Sequence, residues 1–223
     1  WSSDVCSSDL ENPTVLSGLV YDEREYLPRH LESRDLTTAG LALIHKLTLC
    51  CLFHDVEGAR VAADQAEQCL VSLSGTQITV LFHFFKGLSL LAACAGRSPG
   101  ERRKLLRRAS RNQGKIKKWA RFAPMNFLHK FHLMEAERRR AAGLAPQAAV
   151  MYDLAVAGAR DNGFIADQAL ANELAGMFFL AGGREELGRA FLACARRDYQ
   201  KWGAGAKVKD LEERFGRLFS GEE

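Results

Sequence analysis

The sequence contains few of the residues and patterns that interrupt helices or build sheets. Proline occurs five times in 223 residues. No stretch alternates apolar and polar residues over more than a few positions, as a half-buried β-strand would. Alanine and leucine, which are good helix formers, are frequent instead. These absences exclude a β-rich fold and favour an all-α protein.

The motifs of phosphate-transferring enzymes are also absent. The chain has no GxxxxGKS or GxxxxGKT phosphate loop, no HRD or DFG motif and no phosphoacceptor histidine box. Cys50/His54 and His129/His132 have spacings that share a helix face, but no second pair completes four metal ligands. We therefore predict that this segment is not an enzyme and has no catalytic, cofactor-binding or metal-binding residues.

The sequence lacks the signs of secretion and of membrane insertion. Residues 77–95 are the most apolar stretch, but they carry His83 and Lys86 near the middle, and a central lysine opposes insertion by about 3 kcal/mol. The cysteines are too scattered for a disulfide framework. We predict a cytoplasmic protein without membrane contact, and reduced, mostly buried thiols at Cys6, Cys50, Cys51, Cys69, Cys94 and Cys194.

What the chain does contain is an internal repeat in its last third. A pattern of small and apolar residues recurs after 39 positions. Its members are Glu135-Ala136, Gly143, Ala148, Tyr152 and Ala155, followed by Leu174-Ala175, Gly182, Leu187, Phe191 and Cys194. Intervals of four and three place such residues on one helix face, and a glycine between two faces marks the turn of a helix hairpin.

The same spacing and the turn residues predict ten helices. The predicted ranges are 22–33, 36–53, 56–73, 76–95, 100–122, 126–142, 146–162, 164–180, 184–202 and 204–219. Just before the fifth range, Ser98 is the expected N-cap and Pro99 is expected at the first helical position. We predict an all-α fold, an α-solenoid of stacked helix hairpins similar to tetratricopeptide repeats.

The first ten residues differ from the rest of the chain. WSSDVCSSDL repeats Ser2-Ser3-Asp4 as Ser7-Ser8-Asp9 and has no initiator methionine. We expect 1–10 to be a non-native leader and the chain to be a fragment of a larger protein. Because no linker or change in composition follows, 11–223 are predicted to form a single helical repeat domain.

Positive charge is concentrated in one predicted helix. Residues 101–121 contain ten Lys or Arg and one acid, a local charge of +9, while the whole chain carries +4. Leu105, Ala109, Ile116 and Trp119 form its expected buried stripe. A solvated outer helix explains this pattern; the alternatives are an acidic protein partner and, with less support, nucleic acid. The candidate interaction surface is Arg103, Arg107, Arg108, Arg111, Lys115 and Lys118.

Other charged groups have structural explanations. Arg138-Arg139-Arg140 ends a predicted helix, where cations are favourable. Asn162 beside Gly163 is expected to cap a helix end, and Glu173 to lie on a helix flank, so no carboxylate pair is predicted with Asp153 or Asp161.

Several motifs together resemble one bacterial family. They are Lys118-Trp119-Ala120, the run from Ala123 to Lys130, Glu135-Ala136-Glu137, Tyr152-Asp153-Leu154-Ala155, the run from Asp161 to Ile165, the run from Ala169 to Ala175 (ALANELA), and the run from Tyr199 to Val208, which contains WGAGAKV. This pattern is similar to the tetratricopeptide-like helical region of very large multidomain sensor kinases. Gly176 and Gly205 depart from it, and we expect them to loosen local packing.

The resemblance implies a position in a larger protein. In that family a serine/threonine kinase domain and a P-loop ATPase of the AAA type precede this region, and a GAF sensor and a histidine kinase often follow it. The expected function is that of a non-catalytic scaffold for signal coupling, in contact with neighbouring domains or with a protein partner. The alternative is a free-standing adaptor that binds nucleic acid or an acidic partner through helix 101–121.

Overall fold

The computed structural model describes residues 12–18 and 21–219, and within these it is all-α with no strand. Ten helices follow one another in this described part of the chain. They are α1 (Glu23–Glu32), α2 (Leu36–Leu52), α3 (Val56–Cys69), α4 (Ile78–Ala92), α5 (Pro99–Ala120), α6 (Pro124–Ala141), α7 (Ala145–Asp161), α8 (Ile165–Ala181), α9 (Glu185–Trp202) and α10 (Gly205–Phe219). The predicted all-α fold of helix hairpins is confirmed. The leader predicted at 1–10 lies outside the described residues.

The predicted helix ends agree with the structure to within a few residues, and α3 shows the largest difference. It ends at Cys69 rather than at Leu73. Two hydroxyl groups in the segment that follows donate hydrogen bonds to backbone carbonyls: Ser72 to Cys69 at 2.7 Å and Thr76 to Leu73 at 2.7 Å. Such local side-chain bonds compete with helix continuation, so the chain forms turns here before α4 begins.

The helices group into two compact units, one within residues 10–116 and one within 117–223. In the first unit α2 packs against α1, α3 and α4. In the second, α6 pairs with α7 and α8 with α9, α7 contacts α8, and α10 packs on α9. The single domain expected over 11–223 stays a prediction.

Left-handed residues end the helices of the second unit at a constant interval. Gly143, Gly163, Gly183 and Gly203 all have positive φ, are evenly spaced along the sequence, and follow α6, α7, α8 and α9. Glycine adopts this conformation without the steric penalty that a Cβ brings. Each helix together with its turn therefore has the same number of residues. One helix hairpin, for example, extends from Gly163 to Gly203.

The structural repeat is thus one residue longer than the 39-residue repeat in the sequence. Leu187, which the sequence pairs with Ala148, is exposed, whereas its neighbour Gly188 is buried. Likewise Leu192, rather than Phe191, is the fully buried counterpart of Tyr152. The 39-residue register is wrong for the second helix of the hairpin. The hairpin is also longer than a tetratricopeptide repeat, which takes about 34 residues.

Gly176 brings two helices close together, contrary to the expectation that it loosens packing. A Cβ built at this position of α8 would lie 2.7 Å from Cγ of Leu192 and 3.0 Å from the carbonyl oxygen of Gly188, both on α9. Because a Cβ–backbone contact at this distance forces the helices apart, only glycine permits the observed approach.

We predict that Gly176→Ala destabilises the protein, by about 1–3 kcal/mol, because it overpacks the contact between α8 and α9. Gly114→Ala is the matched control, since a Cβ at that position within α5 meets nothing within 4 Å. That control should keep or raise stability, by up to about 1 kcal/mol. Urea unfolding followed by circular dichroism measures both changes, and equal effects at the two positions would contradict the close contact.

Candidate interaction surface

The start of α5 is fixed by a reciprocal pair of side-chain bonds. The Glu101 backbone N–H donates to the Ser98 hydroxyl at 3.4 Å, and the Ser98 N–H donates to the Glu101 carboxylate at 3.1 Å. This arrangement satisfies two donors that a helix start leaves open. It confirms Ser98 as the N-cap, with Pro99 as the first helical residue.

One side of α5 is buried as predicted. Ala109 and Ile116 are almost fully buried, and Leu105 and Trp119 are half-buried. Ala109 packs with Leu90 and Leu91 of α4. This side also has a polar part that the sequence pattern does not predict. There the Asn112 side-chain oxygen lies 2.8 Å from Nδ1 of His83. Burial lowers the pKa of His83 below its usual value, so this contact is one between neutral groups near pH 7.

The six candidate cations lie on the opposite side of α5, and all are exposed. At 100° per residue they span an arc of about 140°, which does not overlap the buried stripe. Arg103, Arg107, Arg108, Arg111 and Lys115 belong to the first unit, while Lys118 belongs to the second.

Almost none of this charge is neutralised by the described residues. Of the six cations, only Arg108 has a carboxylate within 4 Å among residues 12–18 and 21–219, at 3.7 Å from Asp64. The sequence has no Asp or Glu between Glu101 and Glu135. The exposed side of α5 therefore carries a row of cations without a matching row of acids, which we call the α5 cationic face.

The run Arg138-Arg139-Arg140, in contrast, does have carboxylate partners within the chain. Arg138 and Arg139 reach Glu135 at 2.6 and 2.7 Å, and Arg140 reaches Glu137 at 2.5 Å. The buried Glu137 also accepts a hydrogen bond from the hydroxyl of Tyr152. The position of these arginines at a helix end is as predicted, but their main partners are buried carboxylates. They are thus part of the packing and leave little charge for a ligand.

Glu173 is not on a helix flank, as expected from the sequence, but fully buried at the centre of a polar network. It accepts hydrogen bonds from the hydroxyl of Tyr199 at 2.7 Å, from Nζ of Lys207 at 3.0 Å and from Arg214 at 3.1 Å. Asp210 completes the network, 2.8 Å from Lys207. A buried carboxylate is tolerated only when it is paired and hydrogen-bonded in this way. The network links α8, α9 and α10.

A second buried ion pair links α6 to α8. Asp167 accepts from Nε2 of His129 at 2.8 Å and from the ammonium group of Lys130. Burial opposes ionisation of Asp167, but Lys130 and His129 outweigh it and lower its pKa to about 2. The ring of Phe164 stacks on His129 with 4.7 Å between centroids.

The polar residues considered as possible ligands or catalysts do not converge. In the described part of the chain, no three His, Cys, Asp or Glu side chains are placed to bind a metal ion. Asp161 pairs with Arg160, and the Asn162 amide donates to the carbonyl of Gly158 at 2.8 Å, which confirms its capping role.

The five described cysteines are present as thiols rather than disulfides. Cys50, Cys69 and Cys94 are buried, and burial raises the pKa of Cys50 to about 12. Cys51 and Cys194 are half-buried, and Cys6 lies outside the described residues.

None of the helices in the described residues is long and apolar enough to cross a bilayer. The lysine that interrupts the apolar helix α4, Lys86, is itself almost fully buried. It forms an ion pair of 2.8 Å with Glu67 of α3. The charge is thus accommodated by packing between helices.

The described residues define an all-α protein built of helix hairpins, with one strongly cationic helix. Comparisons with protein-family models, with curated proteins and with solved structures found no match. The resemblance to the sensor-kinase region stays a prediction.

Asp167→Asn should remove a pH-dependent part of the stability. The folded pKa of about 2 lies below the unfolded value of 3.8, so the ionised group stabilises the fold above about pH 4, by roughly 2 kcal/mol, and this contribution disappears as the pH falls towards 2. The difference in unfolding free energy between wild type and variant should therefore narrow between pH 4 and pH 2. Urea unfolding across that range measures it.

Asp161→Asn is the control for this measurement. Asp161 is exposed and forms its ion pair with its neighbour Arg160, so its removal should change stability by less than about 1 kcal/mol. A gap between wild type and Asp167→Asn that is the same at pH 3 and at pH 7 would contradict the assigned ion pair.

Proposed function

We propose that this chain is a non-catalytic, cytoplasmic helical scaffold that docks an acidic protein segment on the α5 cationic face. The observation that carries the proposal is the lack of neutralising carboxylates around that face. Cations that contribute to packing, such as those beside Glu135 and Glu173, are paired within the chain. Those of α5, except Arg108, have no carboxylate within 4 Å in the described part of the chain.

The chemistry of such a surface favours rapid and reversible binding. Exposed ion pairs each contribute only about 0.2–1 kcal/mol. A row of like charges nevertheless steers an oppositely charged partner and raises its association rate. This behaviour suits a contact between domains that must form and break during signalling.

The resemblance of the motifs suggests where that partner lies. We propose that the chain is the coupling segment of a large bacterial sensor kinase, between the ATPase and the sensor half. The acidic segment would then belong to a neighbouring domain of the same polypeptide. The DNA on both sides of this reading frame tests the assignment. Kinase and ATPase sequences upstream, with a GAF or histidine kinase sequence downstream, would support it, whereas a start codon just before Glu11 and a stop after Glu223 would contradict it.

Nucleic acid is the second candidate ligand, because the same cations could bind phosphates. Binding to duplex DNA through several phosphate contacts weakens steeply with salt, in proportion to the number of contacts. Fluorescence anisotropy of a labelled DNA duplex and of a labelled Asp/Glu-rich peptide, at matched salt concentrations, separates the two candidates. Tighter binding of the duplex would favour nucleic acid.

We predict that Arg103→Glu/Arg107→Glu/Arg111→Glu weakens binding of the Asp/Glu-rich peptide about tenfold or more at low ionic strength, because three attractive contacts become repulsive. The control is Arg24→Glu/Arg189→Glu/Lys201→Glu, which makes the same charge change at exposed positions outside α5. It should retain most of the affinity. Equal losses in both variants would show that only the net charge matters and would refute the α5 cationic face.

A further inference from the structure

Large apolar side chains are exposed where α5 turns into α6. Phe122 is 83% exposed, Met125 58% and Leu128 39%. They lie within residues 117–128, which we call the corner. Most exposed apolar residues of a protein are scattered singly and need no explanation. These three lie within seven positions, at the turn between two helices, and we call them together the patch.

Not every aromatic residue of the corner is exposed. Trp119 and Phe127, the two other aromatic residues of the corner, are half-buried, and their ring centroids lie 6.3 Å apart. The ammonium group of Lys117 lies 5.8 Å from the ring centroid of Phe131 on α6. The chain thus turns Trp119 and Phe127 inward and leaves Phe122 and Met125 in solvent.

The charged residues within the corner are all of one sign. The corner contains Lys117, Lys118 and Arg121 and no acid, and all three cations are exposed. Arg121 directly precedes Phe122. A ligand that covers the apolar patch therefore also meets these cations.

We propose that the corner binds an acidic peptide segment that carries a large apolar side chain. This inference rests on the proposed docking function and names the chemistry that its partner must have. Aromatic residues and arginine supply much of the binding energy at protein interfaces, and methionine adapts its shape to different apolar ligands. Phe122 and Met125 provide the apolar contact, while Lys118 and Arg121 meet the carboxylates beside it.

The geometry favours a peptide over a lipid surface. A helix that lies on a bilayer inserts a continuous apolar face. The apolar side of α5 is already covered, since Ala109 and Ile116 are buried. The exposed apolar surface is limited to the turn and the first residues of α6. This area suits one or two side chains of a partner.

Two labelled peptides test the proposal. Both are rich in Asp and Glu; one carries two leucines, and in the other serine replaces them. The wild-type protein should bind the leucine-containing peptide about tenfold more tightly, because one buried apolar anchor contributes that much. In Phe122→Ser/Met125→Ser this preference should disappear, while the affinity for the serine-containing peptide stays the same.

The control variant is Val150→Ser, which replaces an apolar residue that is 54% exposed on α7, outside the corner. It should keep the preference. Because Phe122 and Met125 are exposed, thermal melting followed by circular dichroism should show all variants folded. A preference that survives in Phe122→Ser/Met125→Ser, or that Val150→Ser also removes, would overturn the assignment to the corner.

Failure of this inference is distinguishable from failure of the proposed function. Equal binding of both peptides, with loss of both in Arg103→Glu/Arg107→Glu/Arg111→Glu, would overturn the corner and keep the α5 cationic face. Absence of binding for both peptides would overturn both. Tighter, Phe122-dependent binding to phosphatidylserine vesicles or to a single-stranded oligonucleotide would replace the peptide with that ligand.

Discussion

The fold depends on the residues at which the helices end. In the described residues, α1, α2 and α6 to α9 each end within two positions of a residue with positive φ, whereas α3 and α4 reach theirs after a longer turn; in the second unit these residues are evenly spaced. A left-handed residue ends the helical hydrogen-bond ladder and reverses the chain within a few positions. The α5–α6 connection is the exception, because Ala123 and Pro124 end and restart the helix without a left-handed residue. That exception is also where Phe122 and Met125 are exposed.

Burial divides the cations of this chain into two kinds. Lys207, Arg138 and Arg140 lie against carboxylates that are almost fully buried, and they supply part of the pairing that a buried carboxylate requires. The cations of α5 are exposed, and apart from Arg108 beside Asp64 they have no carboxylate within 4 Å among the described residues. The first kind contributes to the stability of the fold. The second kind costs the fold little, as the interaction surface that we propose requires.

The local features of the fold were predictable from the sequence, and the pairings between distant residues were not. Helix ends follow from glycine, proline and capping residues that act within a few positions, so the predicted and observed ranges agree closely. The burial of Glu173 depends on Tyr199, Lys207 and Arg214, which are 26 to 41 residues away. No local sequence pattern predicts these pairings. The sequence pattern predicts a repeat that is one residue too short. Leu187 and Phe191 are apolar, but the buried positions are their neighbours Gly188 and Leu192.

The motifs that carry the family resemblance have structural roles in this chain. Within ALANELA, Asn172 donates to Asp198 of α9 at 2.9 Å, and Glu173 forms the buried network. Within WGAGAKV, Gly203 is the left-handed helix stop, Ala204 is buried, and Lys207 pairs with Glu173. Each of these residues contributes to the structure or packing of α8, α9 and α10. Because these residues serve helix packing, we place the proposed interaction chemistry elsewhere, on the α5 cationic face and the corner that follows it.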